Sequence, residues 1–175
     1  MKKSILLLIS AMGLFSMTSI KSHAQVAMSS QTESLAFENA VLAEPSGIVT
    51  DARNLKAETN FLKVYRHATG IEWSTLKYNS WMCRFYIDNI SHRAFYSGKG
   101  KWLGTVSSYD GSKLDKNVSD RIKSNYYDFN IVYVNQIDMP RNKIFYIVEI
   151  KNEKSIRKIR VDNDEMDVVQ EFEKH

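Results

Sequence analysis

The chain has 175 residues, with 24 Lys and Arg against 20 Asp and Glu, 43% hydrophobic residues and a single cysteine. One cysteine excludes an intramolecular disulfide, so the fold rests on an ordinary apolar core, and the length suits one domain. The formal charge of +4 is concentrated at the N-terminus, because Lys2, Lys3 and Lys21 fall in the first 24 residues with no acid among them. Beyond them 21 bases (24 − 3) face 20 acids, and a net charge near +1 excludes a basic nucleic-acid-binding surface as the organising feature.

Residues 1–24 read as a signal peptide. Lys2 and Lys3 precede an apolar run from Ile5 to Ile20, and Ser22-His23-Ala24 forms a small-residue cleavage pattern before Gln25. Ser10, Gly13, Ser16 and Thr18 interrupt the run, leaving it short of the ~20 strongly apolar residues a membrane span requires. The expected location is periplasmic or secreted, with no stable membrane span after cleavage. Residues 25–56 are expected to form a mobile N-terminal arm, rich in small residues and holding the turn-forming cluster Glu44-Pro45-Ser46-Gly47.

A domain over residues 57–173 follows. Phe61, Leu62, Val64, Tyr65 and Ala68 recur at three- and four-residue steps and predict a helix from Ala57 to Ala68, stopped by Gly70. A strand is predicted from Ile71 to Lys77. After Asn79-Ser80, the alternation of Trp81, Cys83, Phe85 and Ile87 with Met82, Arg84, Tyr86 and Asp88 predicts a two-faced strand. Asp88-Asn89 turns the chain into a third strand, His92 to Tyr96, which Ser97-Gly98-Lys99-Gly100 interrupts before Lys101 to Val106 resume.

The same order then recurs. Val118, Ile122 and Tyr126 mark a second helix, with Asn117 or Ser119 as its expected cap. Strands are predicted at Ile131 to Ile137, Lys143 to Lys151 and Ser155 to Val161. Asp162-Asn163-Asp164-Glu165 breaks the last, and Met166 to Phe172 resume it. The fold class is α+β: a tandem helix-plus-three-strand repeat forming an antiparallel sheet with two helices packed on one face. Arg84, Tyr86, Arg157 and Glu149 are assigned to the opposite face. The run Ile144 to Ile150 is apolar on both faces over most of its length, the pattern of a central strand whose outer surface is covered by the arm, a partner chain or a ligand.

Phe95-Tyr96-Ser97-Gly98-Lys99-Gly100-Lys101-Trp102-Leu103 resembles the "YDxxGKWL" turn of PepSY-like proteins, also described as β-lactamase-inhibitor-like, exported by Bacteroidetes. The strand holding Trp73, the helix leading into Ile131 to Ile137, the strand Phe145 to Ile150 and the terminal Val168-Val169 strand occur in the same order. Ser97 replaces the family's usual Asp, and the proline often found before the second helix is absent. The resemblance implies an exported, non-catalytic α+β domain, similar to modules that bind or inhibit proteins, and it carries over no catalytic residues.

The residues themselves assemble no reactive constellation. His67, His92 and His175 lack metal-ligand spacing. The Asp162 to Glu173 stretch places Met166 at a calcium-ligand position and Asp167 where the loop needs glycine. Gly98-Lys99-Gly100-Lys101 lacks phosphate-loop spacing, and no serine has a G-x-S-x-G setting. Cys83, within an alternating strand, reads as a small buried apolar residue. The expected function is a non-catalytic, cofactor-free interaction module that binds a cell-envelope protein or peptide through its open sheet face. The candidate binding residues are Arg84, Tyr86 and Trp102; the alternative is a carrier of a small apolar ligand in a pocket formed by a concave sheet.

Overall fold

The computed structural model describes residues 54–76, 79–163 and 165–174. The expected signal peptide at 1–24 and nearly all of the arm at 25–56 lie outside them. A helix α1 (Leu55–Val64) leads into β1 (Thr69–Thr75), β2 (Trp81–Ile87), β3 (Ile90–Tyr96) and β4 (Trp102–Asp110). A second helix α2 (Lys116–Asn125) leads into β5 (Asn130–Met139), β6 (Lys143–Lys151), β7 (Ser155–Asp162) and β8 (Glu165–Glu173). All eight strands form one antiparallel sheet in sequence order.

The helices start where side chains satisfy their free N–H groups. Asn54 Oδ1 accepts from the backbone of Lys56 and Ala57 at 3.1 and 3.2 Å, so α1 begins earlier than the apolar stripe indicated and takes in two residues assigned to the arm. The helix also stops at Val64, leaving Leu62 and Val64 exposed and Ala57 and Phe61 buried. Gly70, at φ +60°, falls inside β1 rather than at the helix stop. Asp115, not Asn117 or Ser119, caps α2: its Oδ1 accepts from Asn117 and Val118 at 2.9 and 3.4 Å. Asp88 and Asn89 both take positive φ, which is what a two-residue hairpin turn matched to strand twist demands.

Register assigns the faces. Cys83 pairs with Ala94, Thr105 with Asp138, Val134 with Val148 and Val148 with Ile159, which carries one side of the sheet unbroken from the first strands to the last. Both apolar clusters lie on that side. Phe61 and Ala57 of α1 pack with Trp73, Cys83, Phe85, Ala94 and Tyr96. Ile122 of α2 packs with Leu114, Phe129, Val134, Val148, Ile150, Ile159 and Val161. Two helices therefore cover one face, as expected of an α+β fold, but four strands follow each helix where three were expected, because the breaks before Trp102 and Glu165 are hairpin turns that start new strands rather than interruptions of one. Arg157 belongs to this helix face and not to the opposite one: it pairs with Ile150, and its guanidinium lies 4.8 Å from the Phe129 ring.

Candidate functional site

The far face, opposite the helices, has two zones. Near the β3–β4 turn, Met82, Phe95, Val106, Ile137, Phe145 and Ile147 are all buried. Toward the other end lie Tyr86, Arg84, Ser91, Arg93, Ser108, Asn135, Tyr133, Glu149 and Lys158, placed on this face by their pairings. Tyr86 and Tyr133 keep 41% and 44% of their surface exposed, unusual for aromatic rings in mid-sheet. They sit on β2 and β5, three strand spacings or about 14 Å apart.

Arg84 and Tyr86 thus share one exposed zone, two residues apart on one strand. Arg84 stands 3.8 Å from Glu72 with both side chains about half exposed, a pair too solvated to fix its position strongly. Tyr86 packs against Gly70, whose missing Cβ would meet the ring at 3.0 Å. Trp102 lies elsewhere. A register shift between Phe95 and Tyr96 brings Trp102 opposite Tyr96, on the helix face, where its indole Nε1 donates to Thr105 Oγ1 at 3.0 Å. Sequence reasoning missed Tyr133, whose only signal is its alternation with Val134 in β5 and which needs the pairing with Asp110 to be placed.

Between the two apolar clusters the helix face turns polar. His92, Ser107, Gln136 and Tyr146 form one row across β3 to β6, with Thr105 and Asp138 beside them. His92 Nδ1 and Ser107 Oγ are 2.9 Å apart, Tyr65 OH and Thr105 Oγ1 2.5 Å, and Tyr109 OH donates to Gln136 Oε1 at 3.0 Å. Gln136 Nε2 in turn donates to Asp138 Oδ1 at 3.1 Å. Burial lowers the His92 pKa below the ordinary imidazole value, although Asp138 opposes the shift. The same desolvation pushes the Tyr109 phenol up to about 12.

A Ser–His contact invites comparison with a nucleophile–base pair, which needs a group orienting the histidine and N–H donors for an oxyanion. Asp138 is taken by Gln136 rather than by His92, and Ser107 sits mid-strand where neighbouring N–H groups belong to the ladder. The row bridges two cores by hydrogen bonds. Cys83 is buried, and its thiol is pushed up to about 12, first by burial and then by the nearby Glu58 carboxylate, so little thiolate exists at neutral pH. Asp162 accepts from Arg160 at 2.9 Å and lies 3.6 Å from Lys143, so two bases engage this carboxylate.

Several solved structures from Bacteroides share this architecture. The fold is that of DUF2874 and BLIP-like proteins. A DUF2874 family protein from Bacteroides ovatus superposes with a TM-score of 0.59 at 14% identity, over 71% of this chain and 89% of that one. A BLIP-like protein from Bacteroides fragilis gives 0.57 at 15% identity, over 71% and 88%. A candidate periplasmic protein from Bacteroides eggerthii gives 0.56 at 14% identity, over 73% and 90%. The neighbours match the resemblance read from the Phe95 to Leu103 turn. No protein-family model matches the chain, and no curated protein matches it in sequence. Among the described residues, no helix is long and apolar enough to cross a membrane.

Proposed function

We propose that the protein is a non-catalytic interaction module of the periplasm or the secreted fraction, built from two helix-plus-strand copies, that binds a protein or peptide through the exposed zone of its far face. The observation that carries this reading is the pair of half-exposed tyrosines, Tyr86 and Tyr133, set among Arg84, Arg93, Glu149 and Lys158 on a rigid sheet. Tyr and Arg dominate binding hot spots because they bury large area while losing few rotamers, and mixed charge around them gives orientation. The description of one structural neighbour as BLIP-like supports a protein partner. Trp102, held on the helix face, contributes by stiffening the β3–β4 hairpin rather than by contact.

The test is capture from an envelope extract of the source organism on immobilised protein, followed by calorimetry with the purified partner. Arg84→Glu/Tyr86→Ala and Tyr133→Ala are each expected to weaken binding at least about tenfold, the scale of a single hot-spot residue. A partner bound equally by the unaltered chain and both variants rejects this face.

A further inference from the structure

Asp138 stands on the helix face, in a corner set apart from both apolar clusters. It lies four residues along β5 from Val134, about 13 Å from that part of the cluster under α2, and two strand spacings, about 9 Å, from Ala94 under α1. Ile144, its partner across β6, is on the same face and keeps 42% of its surface exposed, so the corner opens to solvent. Among the described residues no base pairs with Asp138. Its hydrogen bond is from the Gln136 amide at 3.1 Å, and Tyr109 OH fixes that amide from its other end. A partly buried carboxylate is thus left with a neutral partner, where such groups ordinarily meet a cation.

We propose that this corner is a binding site for an organic cation, an alkylammonium or guanidinium group held by Asp138 with its chain against Tyr146 and Ile144. Register puts Tyr146 diagonal to Asp138 across the β5–β6 pair, about 7 Å away, within reach of a cation seated on the carboxylate. The face of a tyrosine ring attracts such a charge. On the other side Thr105 lies opposite Asp138, and its hydroxyl is 2.5 Å from Tyr65 OH and accepts from Trp102 Nε1 at 3.0 Å. That wall is set before a ligand arrives, which lowers the ordering cost of binding.

The electrostatics agree with this geometry. Burial lowers the pKa of His92, the base of the polar row, so the imidazole is neutral at neutral pH and supplies no counter-charge. Burial first, with the Asp138 charge among the further causes, raises the phenols of Tyr65, Tyr109 and Tyr146, and Asp115 adds to the negative field at Tyr109 and Tyr146. Among the described residues no three His, Cys, Asp or Glu side chains gather to hold a metal ion, which favours an organic cation. The corner lies across the sheet from Tyr86 and Tyr133, and its binding does not depend on a partner at the far face.

The experiment titrates the whole purified chain with butylguanidinium, butylammonium and neutral butyramide, followed by amide chemical shifts. The two cations are expected to move the signals of Gln136, Asp138, Ile144 and Tyr146, and butyramide to leave them in place. Nuclear Overhauser contacts should join the cation's methylene groups to the Tyr146 ring. Asp138→Asn is expected to weaken binding at least about tenfold, the scale of a charge-assisted hydrogen bond, and Tyr146→Leu about threefold. An equal response to butyramide overturns the proposal, as does unaltered affinity in Asp138→Asn. Should that variant not fold, the unaltered chain decides: cation-induced shifts without contacts to Tyr146 or Ile144 overturn the site. Acetyl-arginine methylamide and agmatine then separate the sources. Tighter binding of the first supports a side chain of a polypeptide as the occupant, and tighter binding of the second supports a free amine.

Discussion

The two helix-covered clusters solve one packing problem with different side chains. Under α1 the core is aromatic: Phe61 meets Trp73, Phe85 and Tyr65 with ring centroids 5.6, 4.9 and 5.2 Å apart, mostly edge to face or tilted. Under α2 it is aliphatic, with Ile122 set among Val134, Val148, Ile150, Ile159 and Val161. Aromatic rings fill space in a few large, oriented blocks, so each one carries more area and tolerates less change. Aliphatic side chains divide the same volume into smaller pieces that can shift. The first cluster is thus brittle and the second adaptable.

Truncating the central residue of each cluster puts that contrast to work. Phe61→Ala is expected to cost about 4 kcal/mol and Ile122→Ala about 3 kcal/mol, in denaturant unfolding followed by tryptophan fluorescence and circular dichroism. Both losses should appear in a single transition, since β4 and β5 join the halves through six paired positions. Two separated transitions in either variant would show that the halves unfold independently.

Gly100 sharpens the difference. At φ +76°, a Cβ there would lie 2.6 Å from Lys56 Cβ, 2.7 Å from Asn54 Oδ1 and 2.9 Å from the Ala57 backbone. The hairpin and the start of α1 have no room for it. Gly100→Ala should therefore cost about 2 kcal/mol, combining left-handed strain with crowding of the cap. The caps follow in size. Asn54 also holds Gly98 O, whereas among the described residues the Asp115 side chain accepts within its own helix, so Asn54→Ala should cost about 2 kcal/mol against about 1 kcal/mol for Asp115→Ala.

The smallest effect concerns pH. His92 stacks on Phe85 with centroids 5.1 Å apart, and burial depresses its pKa in the fold. The unfolded chain then binds the proton more readily, so His92 favours the fold above the ordinary imidazole pKa and opposes it as pH falls through that value. His92→Gln should flatten the rise in melting temperature between acidic and neutral pH. An unaltered slope would assign it to other groups.

Much of the strand pattern was legible before any coordinates. β2 and β6 fall where alternation and turn residues put them, because a period of two survives only in an extended chain and Asn, Asp and Gly mark the bends. Helix ends were less legible, because capping is decided by which side chain reaches the free N–H groups, and Asp115 reaches them first. The fates of Trp102 and Arg157 required register. A single bulge between Phe95 and Tyr96 re-aims Trp102, and periodicity within one strand cannot report it. The polar row from His92 to Tyr146 was hidden for the same reason: its members come from four strands, unremarkable one at a time. Among the candidate binding residues, Arg84 and Tyr86 could be placed on one side together because neighbours i and i+2 on a strand share a side whatever the register.

Among the described residues, the consecutive strand order leaves β1 and β8 as the sheet's two margins, and each carries a feature that opposes the addition of a further strand. β8 sets Glu165, Asp167 and Glu173 among its exposed Val168, Val169 and Phe172, and β1 breaks its ladder between Thr69 and Glu72 at the left-handed Gly70. Charge repulsion on one margin and a backbone kink on the other discourage stacking of copies into fibrils.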